Sequence, residues 1–126
     1  MMNILAKILI ALVALEHVYI LYLEMFLWTK PKGLKSFGLT QEFANQTKAL
    51  AANQGLYNGF LAAGLIWGLI ESVESANTMG FPLQVFFLSC VIIAAIYGSL
   101  TAKKSIIYVQ GLPAILALFA LLISKI

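Results

Sequence analysis

Four long apolar segments constrain this chain more than any other feature of its sequence. Each approaches the length of about 20 residues that an α-helix needs to cross a bilayer. The chain has 126 residues, of which 62% are hydrophobic and 10% charged. A globule this small has too little interior to bury so much apolar surface, which indicates lipid contact. The segments occupy residues 4–28, 49–70, 82–101 and 105–123.

The second segment has an alternative start near residue 41, with Thr40 as the N-cap and Glu42 in the first helical turn. Short connections make consecutive helices antiparallel neighbours. The sequence therefore predicts an all-α fold, a four-helix transmembrane bundle with up-down topology. Residues 1–126 are expected to form a single membrane domain.

Lysine placement predicts the topology. The loops after the first and third segments are basic, whereas the loop after the second has no lysine and contains Glu74. By the positive-inside rule both basic loops are cytoplasmic and both termini lie outside, in a multi-pass protein of the cytoplasmic membrane. The first loop's lysines either only set this orientation or also contact anionic lipid headgroups. The first loop contains Lys30, Lys32, Lys35 and, at the helix entry, Lys48, and the third loop contains Lys103 and Lys104.

The stretch at residues 15–28 of the first apolar segment contains Glu16, His17 and Glu24. An ionisable side chain near the bilayer centre costs at least about 2.5–3.5 kcal/mol, so such residues usually mark a functional site. His17 and Glu24 are seven positions apart and share one helix face, with Glu16 at the edge of that face. These three residues are the first candidates for a ligand or proton site.

The other three segments add polar groups at a similar depth. The second segment carries four polar side chains in one arc, those of Asn53, Gln54, Tyr57 and Asn58. The Gly55–Gly59 pair lies on roughly the opposite face. In the fourth segment Pro113 frees the carbonyl of Val109, one turn earlier. The sequence thus predicts a polar pocket open to the cytoplasm. Its predicted lining is Glu16, His17, Glu24, Asn53, Gln54, Tyr57, Asn58, Tyr97 and Gln110.

Several classes of site lack support in the sequence. The single cysteine, Cys90, forms no CxxC motif, and no local spacing of His and Glu is typical of a metal site, so we predict no metal. The lysines flank apolar segments instead of forming a basic face with interleaved aromatics, which argues against nucleic acid as a partner. No motif indicates a particular cofactor.

The stretches LVALEHVYILYLEMFLW, FGLT and LAANQGLYNGFLAAGLIWG resemble a bacterial family of small integral membrane proteins, domain of unknown function family 1304. The resemblance covers nearly the whole chain. It implies a four-helix membrane protein and brings no activity with it.

Three functions agree with this pattern. The first is transport of a small molecule coupled to a proton or ion, with a homodimer as the expected assembly because one protomer is thin for a pathway. The second is a membrane enzyme, or a binder of a lipid or small-molecule ligand, that uses His17 with Glu16 or Glu24 as acid and base. The third is a structural accessory subunit. Whether the chain is an enzyme therefore stays open, and transport is slightly favoured.

Overall fold

The computed structural model describes residues 2–73 and 79–126, and the chain is helical throughout these ranges apart from short turns. The all-α prediction is confirmed. Glu74, on which part of the topology prediction rests, lies outside the described residues. The helices are α1 (Ile4–Phe26), α2 (Pro31–Phe37), α3 (Gln41–Glu71), α4 (Gly80–Thr101) and α5 (Leu112–Ile123).

The connection between α1 and α3 contains a short helix, α2, where the sequence analysis described only a basic loop. Pro31 lies in the first turn of α2, where its fixed φ angle favours the helix and its missing N–H costs no hydrogen bond. Gly38 ends α2 in a left-handed conformation with φ 66°. α3 then starts at Gln41, the earlier of its two predicted starts. Thr40 caps it as predicted, because Thr40 Oγ1 accepts a 3.2 Å hydrogen bond from the Phe43 N–H.

A π-helical turn at Ile107–Gly111 leads into α5. The Leu112 N–H donates to the carbonyl oxygen of Ile107, five residues earlier. The next residue, Pro113, has no N–H to offer the carbonyl of Val109. A π-turn is one way in which a helix absorbs such an interruption, and these turns are frequently found at functional sites.

The chain divides into two compact units. The first, called the alanine unit, comprises Met1–Leu15 and Leu61–Ile126. Its core is built from aliphatic side chains of α1, α3 and α4 packed with three alanines spaced three apart on α5, and these alanines allow helices to approach closely. The core residues are Met2, Ala6, Ile10, Val13, Ala14, Leu65, Leu88, Val91, Ala114, Ala117, Ala120 and Leu121.

Within the alanine unit, α3 and α4 meet at the Gly64–Gly68 pair. A methyl group added at Gly64 would overlap the Phe87 ring, and one added at Gly68 would lie 2.6 Å from Gln84 Cγ. The two glycines therefore leave the space that these α4 side chains fill, as expected for a small-xxx-small pair in membrane helices.

The second unit, Glu16–Phe60, is called the Glu24 unit and contains the end of α1, all of α2 and the first part of α3. Trp28 ties these elements together. Its Nε1–H donates a 3.0 Å hydrogen bond to Thr47 Oγ1 of α3, and its ring lies 4.8 Å from the ring of Phe37 in α2. Gly33 is buried against the carbonyl of Leu27. α2 is therefore docked on the end of α1.

By length and composition, α1 and α4 could each cross a membrane, and residues 107–123 form a shorter apolar helix. The distribution of exposed and buried side chains also favours a membrane protein. Large apolar residues are exposed along α1, α4 and α5, while His17, Glu24 and Gln84 are buried. A soluble protein normally shows the reverse arrangement, with charged side chains outside.

Candidate functional site

Two of the three candidate residues of α1, His17 and Glu24, lie on its buried face. His17 is 1% exposed and Glu24 is 6% exposed. They continue the buried row that Val13 and Ile20 also occupy, because a spacing of three or four residues returns to the same side of a helix. Glu16 is half-buried at the edge of this row. The helical repeat therefore explains why Glu24 and His17 are buried together.

Asn58 of α3 contacts the Glu24 carboxylate within the Glu24 unit. The Asn58 Nδ2–H donates to Glu24 Oε2 at 3.4 Å and also to the backbone oxygen of Gln54 at 3.2 Å. The contact to Glu24 is longer than the usual 2.7–3.2 Å of an N–H···O hydrogen bond, so it is weak. An amide is neutral and leaves the charge of a carboxylate uncompensated. The arrangement can hold a carboxyl group in place without neutralising it.

The approach of α3 to α1 depends on glycine. A methyl group added at Gly55 would lie 2.8 Å from Met25 Cγ, 3.0 Å from Glu24 Cβ and 3.2 Å from the carbonyl oxygen of Leu21. At Gly59 the close neighbour is the Leu21 side chain. The Gly55–Gly59 face of α3 therefore faces α1. Asn58 borders this face and so reaches Glu24.

The structure brings together fewer of the predicted pocket residues than the sequence analysis expected. On α3, Asn53, Gln54 and Tyr57 are exposed. Asn53 Nδ2 donates to the backbone oxygen of Ala49 at 2.9 Å, and Tyr57 packs its ring 5.9 Å from that of Phe60. These three side chains point away from α1 because Gly55 and Gly59, rather than the amides, form the contact between α3 and α1.

The remaining two candidates, Tyr97 and Gln110, belong to the alanine unit. Tyr97 is exposed on α4, and Gln110 is half-buried in the π-helical turn before α5. Their role in a polar pocket stays a prediction. Within the Glu24 unit, Asn58 contacts Glu24, and His17 lies on the same buried face of α1 as Glu24.

Gln84 is a buried polar residue that sequence reasoning missed. Its side chain is fully buried in α4, and its Nε2–H donates a long 3.4 Å hydrogen bond to Ser72 Oγ. Gln84 Oε1 accepts no hydrogen bond from the part of the chain that the structure describes. In the sequence, Gln84 is visible only as a single amide inside the apolar run GFPLQVFFLSC. In the structure it packs against Gly68.

Replacing Gln84 with Met should stabilise the protein by about 1 kcal/mol, because it removes a buried acceptor without a partner and keeps an unbranched chain of similar length. Thermal unfolding in detergent, followed by circular dichroism, measures the change. An unchanged or lower unfolding temperature would mean that the Gln84 amide is satisfied and stabilises the packing of α3 on α4.

Among the described residues, no group of three or more His, Cys, Asp or Glu side chains is arranged to hold a metal ion.

Comparison with known proteins places the chain in a family. Residues 11–122 match the model of a family described as a protein of unknown function (DUF1304). The chain is also 40% identical over 121 residues to "Uncharacterized protein YpaA" of Lactococcus lactis subsp. lactis (strain IL1403), covering 94% of this chain and 98% of that protein. No solved structure matches. The chain belongs to the DUF1304 family, as its sequence predicted.

Proposed function

We propose that this protein is a multi-pass protein of the cytoplasmic membrane that transports protons through a site at Glu24. The observation that carries the proposal is the Glu24 carboxyl group, 6% exposed in a helix of membrane-spanning length and contacted by the Asn58 amide. Intramembrane acids commonly form proton relays in pumps and transporters.

The free-energy cost of burying the Glu24 carboxylate favours binding of a proton or a small cation at this site. Burying a carboxylate costs at least about 2.5–3.5 kcal/mol at the bilayer centre and less toward the interface, and Glu24 lies two residues before the end of α1. Hydrogen bonds between membrane helices contribute about 0.6 kcal/mol on average, and the Asn58 contact is long. The amide therefore offsets only part of the cost. A proton or a small cation on Glu24 offsets the rest, and a site that must bind such a charge can also release it.

The proposed arrangement uses four crossings. α1 and α4 have the required length and composition. Residues 107–123 and the second half of α3 would supply the other two, with the exposed amides of α3 near the cytoplasmic headgroups. α3 has 31 residues and is about 46 Å long, enough to cross the bilayer and extend beyond it. Lysine placement then puts α2 in the cytoplasm and both termini outside.

The burial of His17 favours proton transfer over catalysis. A general base must come within hydrogen-bond reach of the proton it removes from a substrate. With 1% of its surface exposed, His17 is poorly placed to meet a substrate, whereas Glu24 needs only a proton to become neutral. A homodimer would supply the second wall of a pathway that one small protomer lacks.

Reconstituted liposomes test the proposal. The vesicles contain potassium and a fluorescent pH indicator, and valinomycin sets an interior-negative potential after dilution into sodium buffer. We expect interior acidification faster than in protein-free vesicles. Vesicles that contain folded protein and acidify no faster than empty ones would contradict proton movement.

The Gly55–Gly59 pair provides a matched test of the helix contact. Gly55→Ala should push α3 away from the backbone of α1 and lengthen the already weak Asn58–Glu24 hydrogen bond, with a stability loss of about 1–3 kcal/mol. Gly59→Ala meets only the flexible Leu21 side chain and should cost less. Proton uptake and thermal unfolding of both variants are measured. Equal effects in the two variants would contradict a specific role of the Gly55 contact.

A further inference from the structure

The end of α1 carries a basic surface that the proton site does not use. This lysine surface consists of Lys30, Lys32, Lys35 and Lys48, and all four side chains are exposed. Lys32 and Lys35 lie in α2, Lys30 directly precedes it, and Lys48 follows Thr47 in α3. The described residues 27–48 contain one acid, Glu42, so the surface is strongly positive.

The lysine surface is held in place by the packing of α2. The Trp28 ring packs against the Phe37 ring and its Nε1–H donates a hydrogen bond to Thr47, and buried Gly33 brings the backbone of α2 against Leu27. Gln41 Nε2 adds a 3.1 Å hydrogen bond to the backbone oxygen of Thr29. The lysines therefore project from an ordered segment, and little ordering is needed when they bind an anion.

The position of this surface identifies the anion. It begins four residues beyond the end of α1, a helix long enough to span the bilayer, which places it level with lipid headgroups. Trp28 is an aromatic residue at the depth where tryptophan is enriched in membrane proteins. The rings of Trp28 and Phe37 pack against each other at a tilt of 50° and are half-buried, so neither offers an open face on which a nucleic-acid base would stack.

We propose that the lysine surface binds the headgroups of anionic phospholipids in the leaflet next to α2. The phosphate oxygens accept hydrogen bonds from the lysine ammonium groups, and half-buried Leu34 and Phe37 lie on α2 within reach of the acyl-chain boundary. This inference does not depend on the proton site at Glu24. Lys32 is partly engaged already, because its Nζ lies 5.5 Å from the centre of the Tyr19 ring.

Native mass spectrometry tests the proposal on the full chain. The protein is released from micelles that contain equal amounts of phosphatidylglycerol and phosphatidylcholine, and the retained lipids are counted. Wild type should retain phosphatidylglycerol preferentially. Lys30→Gln/Lys35→Gln should lower that preference about tenfold, because each lysine near an anionic surface contributes to binding and salt screens part of the effect.

Two matched variants make the outcome specific. Lys103→Gln/Lys104→Gln removes the same charge from the loop before the π-helical turn and should keep the preference, as should Glu24→Gln. An equal loss in both lysine variants would assign the effect to net charge and overturn the proposal. A wild type without preference for phosphatidylglycerol would overturn it too, as would retention of inorganic phosphate with no excess of the anionic lipid.

Discussion

Glu24→Gln should reduce potential-driven proton uptake to the rate of protein-free vesicles while the protein stays folded. Glutamine has the shape of glutamate and can still bond to Asn58, but it cannot carry a proton on and off at neutral pH. Removing the carboxylate also removes the cost of burying its charge, so the variant should be at least as stable as wild type. Flux in the liposome assay and thermal unfolding in detergent are measured on the same preparations.

A matched substitution separates this effect from a general loss of negative charge. Glu42→Gln changes an exposed acid in the first turn of α3, remote in sequence from the buried row of α1, and should leave flux unchanged. If Glu24→Gln unfolds the protein, the carboxylate has a structural role and the chain is better described as an accessory subunit. If Glu24→Gln is folded and conducts like wild type, the proton site lies elsewhere.

Gly33→Ala should produce the largest loss of stability, about 3 kcal/mol. The added methyl group would overlap the carbonyl oxygen of Leu27 and lie 2.7 Å from its carbonyl carbon and 3.0 Å from Trp28 Cα. These are backbone atoms, which cannot rotate away as a side chain can. α2 would have to leave the end of α1 and separate the packed rings of Trp28 and Phe37. Thermal unfolding measures the loss.

Gly38→Ala is the control for Gly33→Ala. Gly38 has φ 66° but no neighbour within 4 Å of an added methyl group, so alanine there meets only backbone strain of about 1–2 kcal/mol. Gly33→Ala should therefore be clearly the less stable of the two. The reverse order would contradict the docking of α2, and with it the ordered lysine surface.

The sequence predicted the features that depend on long apolar runs and on local capping. The apolar runs indicated an all-helical chain, and Thr40 identified the start of α3. The seven-residue spacing of His17 and Glu24 predicted that they share a face, and both are buried. These features follow from helical periodicity and from the chemistry of single residues.

The features that were missed depend on which face meets a neighbour. The amides Asn53 and Gln54 form an arc that periodicity detects, but close approach of two helices selects the side with Gly55. α2 has seven residues, too few for a periodic pattern. Gln84 is a single amide in an apolar run, and its burial becomes evident only when α4 packs against Gly68.

Infrared spectroscopy of the protonated carboxyl group tests the central claim most directly. Difference spectra of the reconstituted protein are recorded across the pH range in which it conducts protons. We predict a carboxylic-acid C=O band that changes with pH, disappears in Glu24→Gln and shifts in frequency in Asn58→Ala, because the Asn58 amide donates to this group. A pH-dependent band that is identical in wild type and Glu24→Gln would show that Glu24 does not exchange the proton, and would contradict the account.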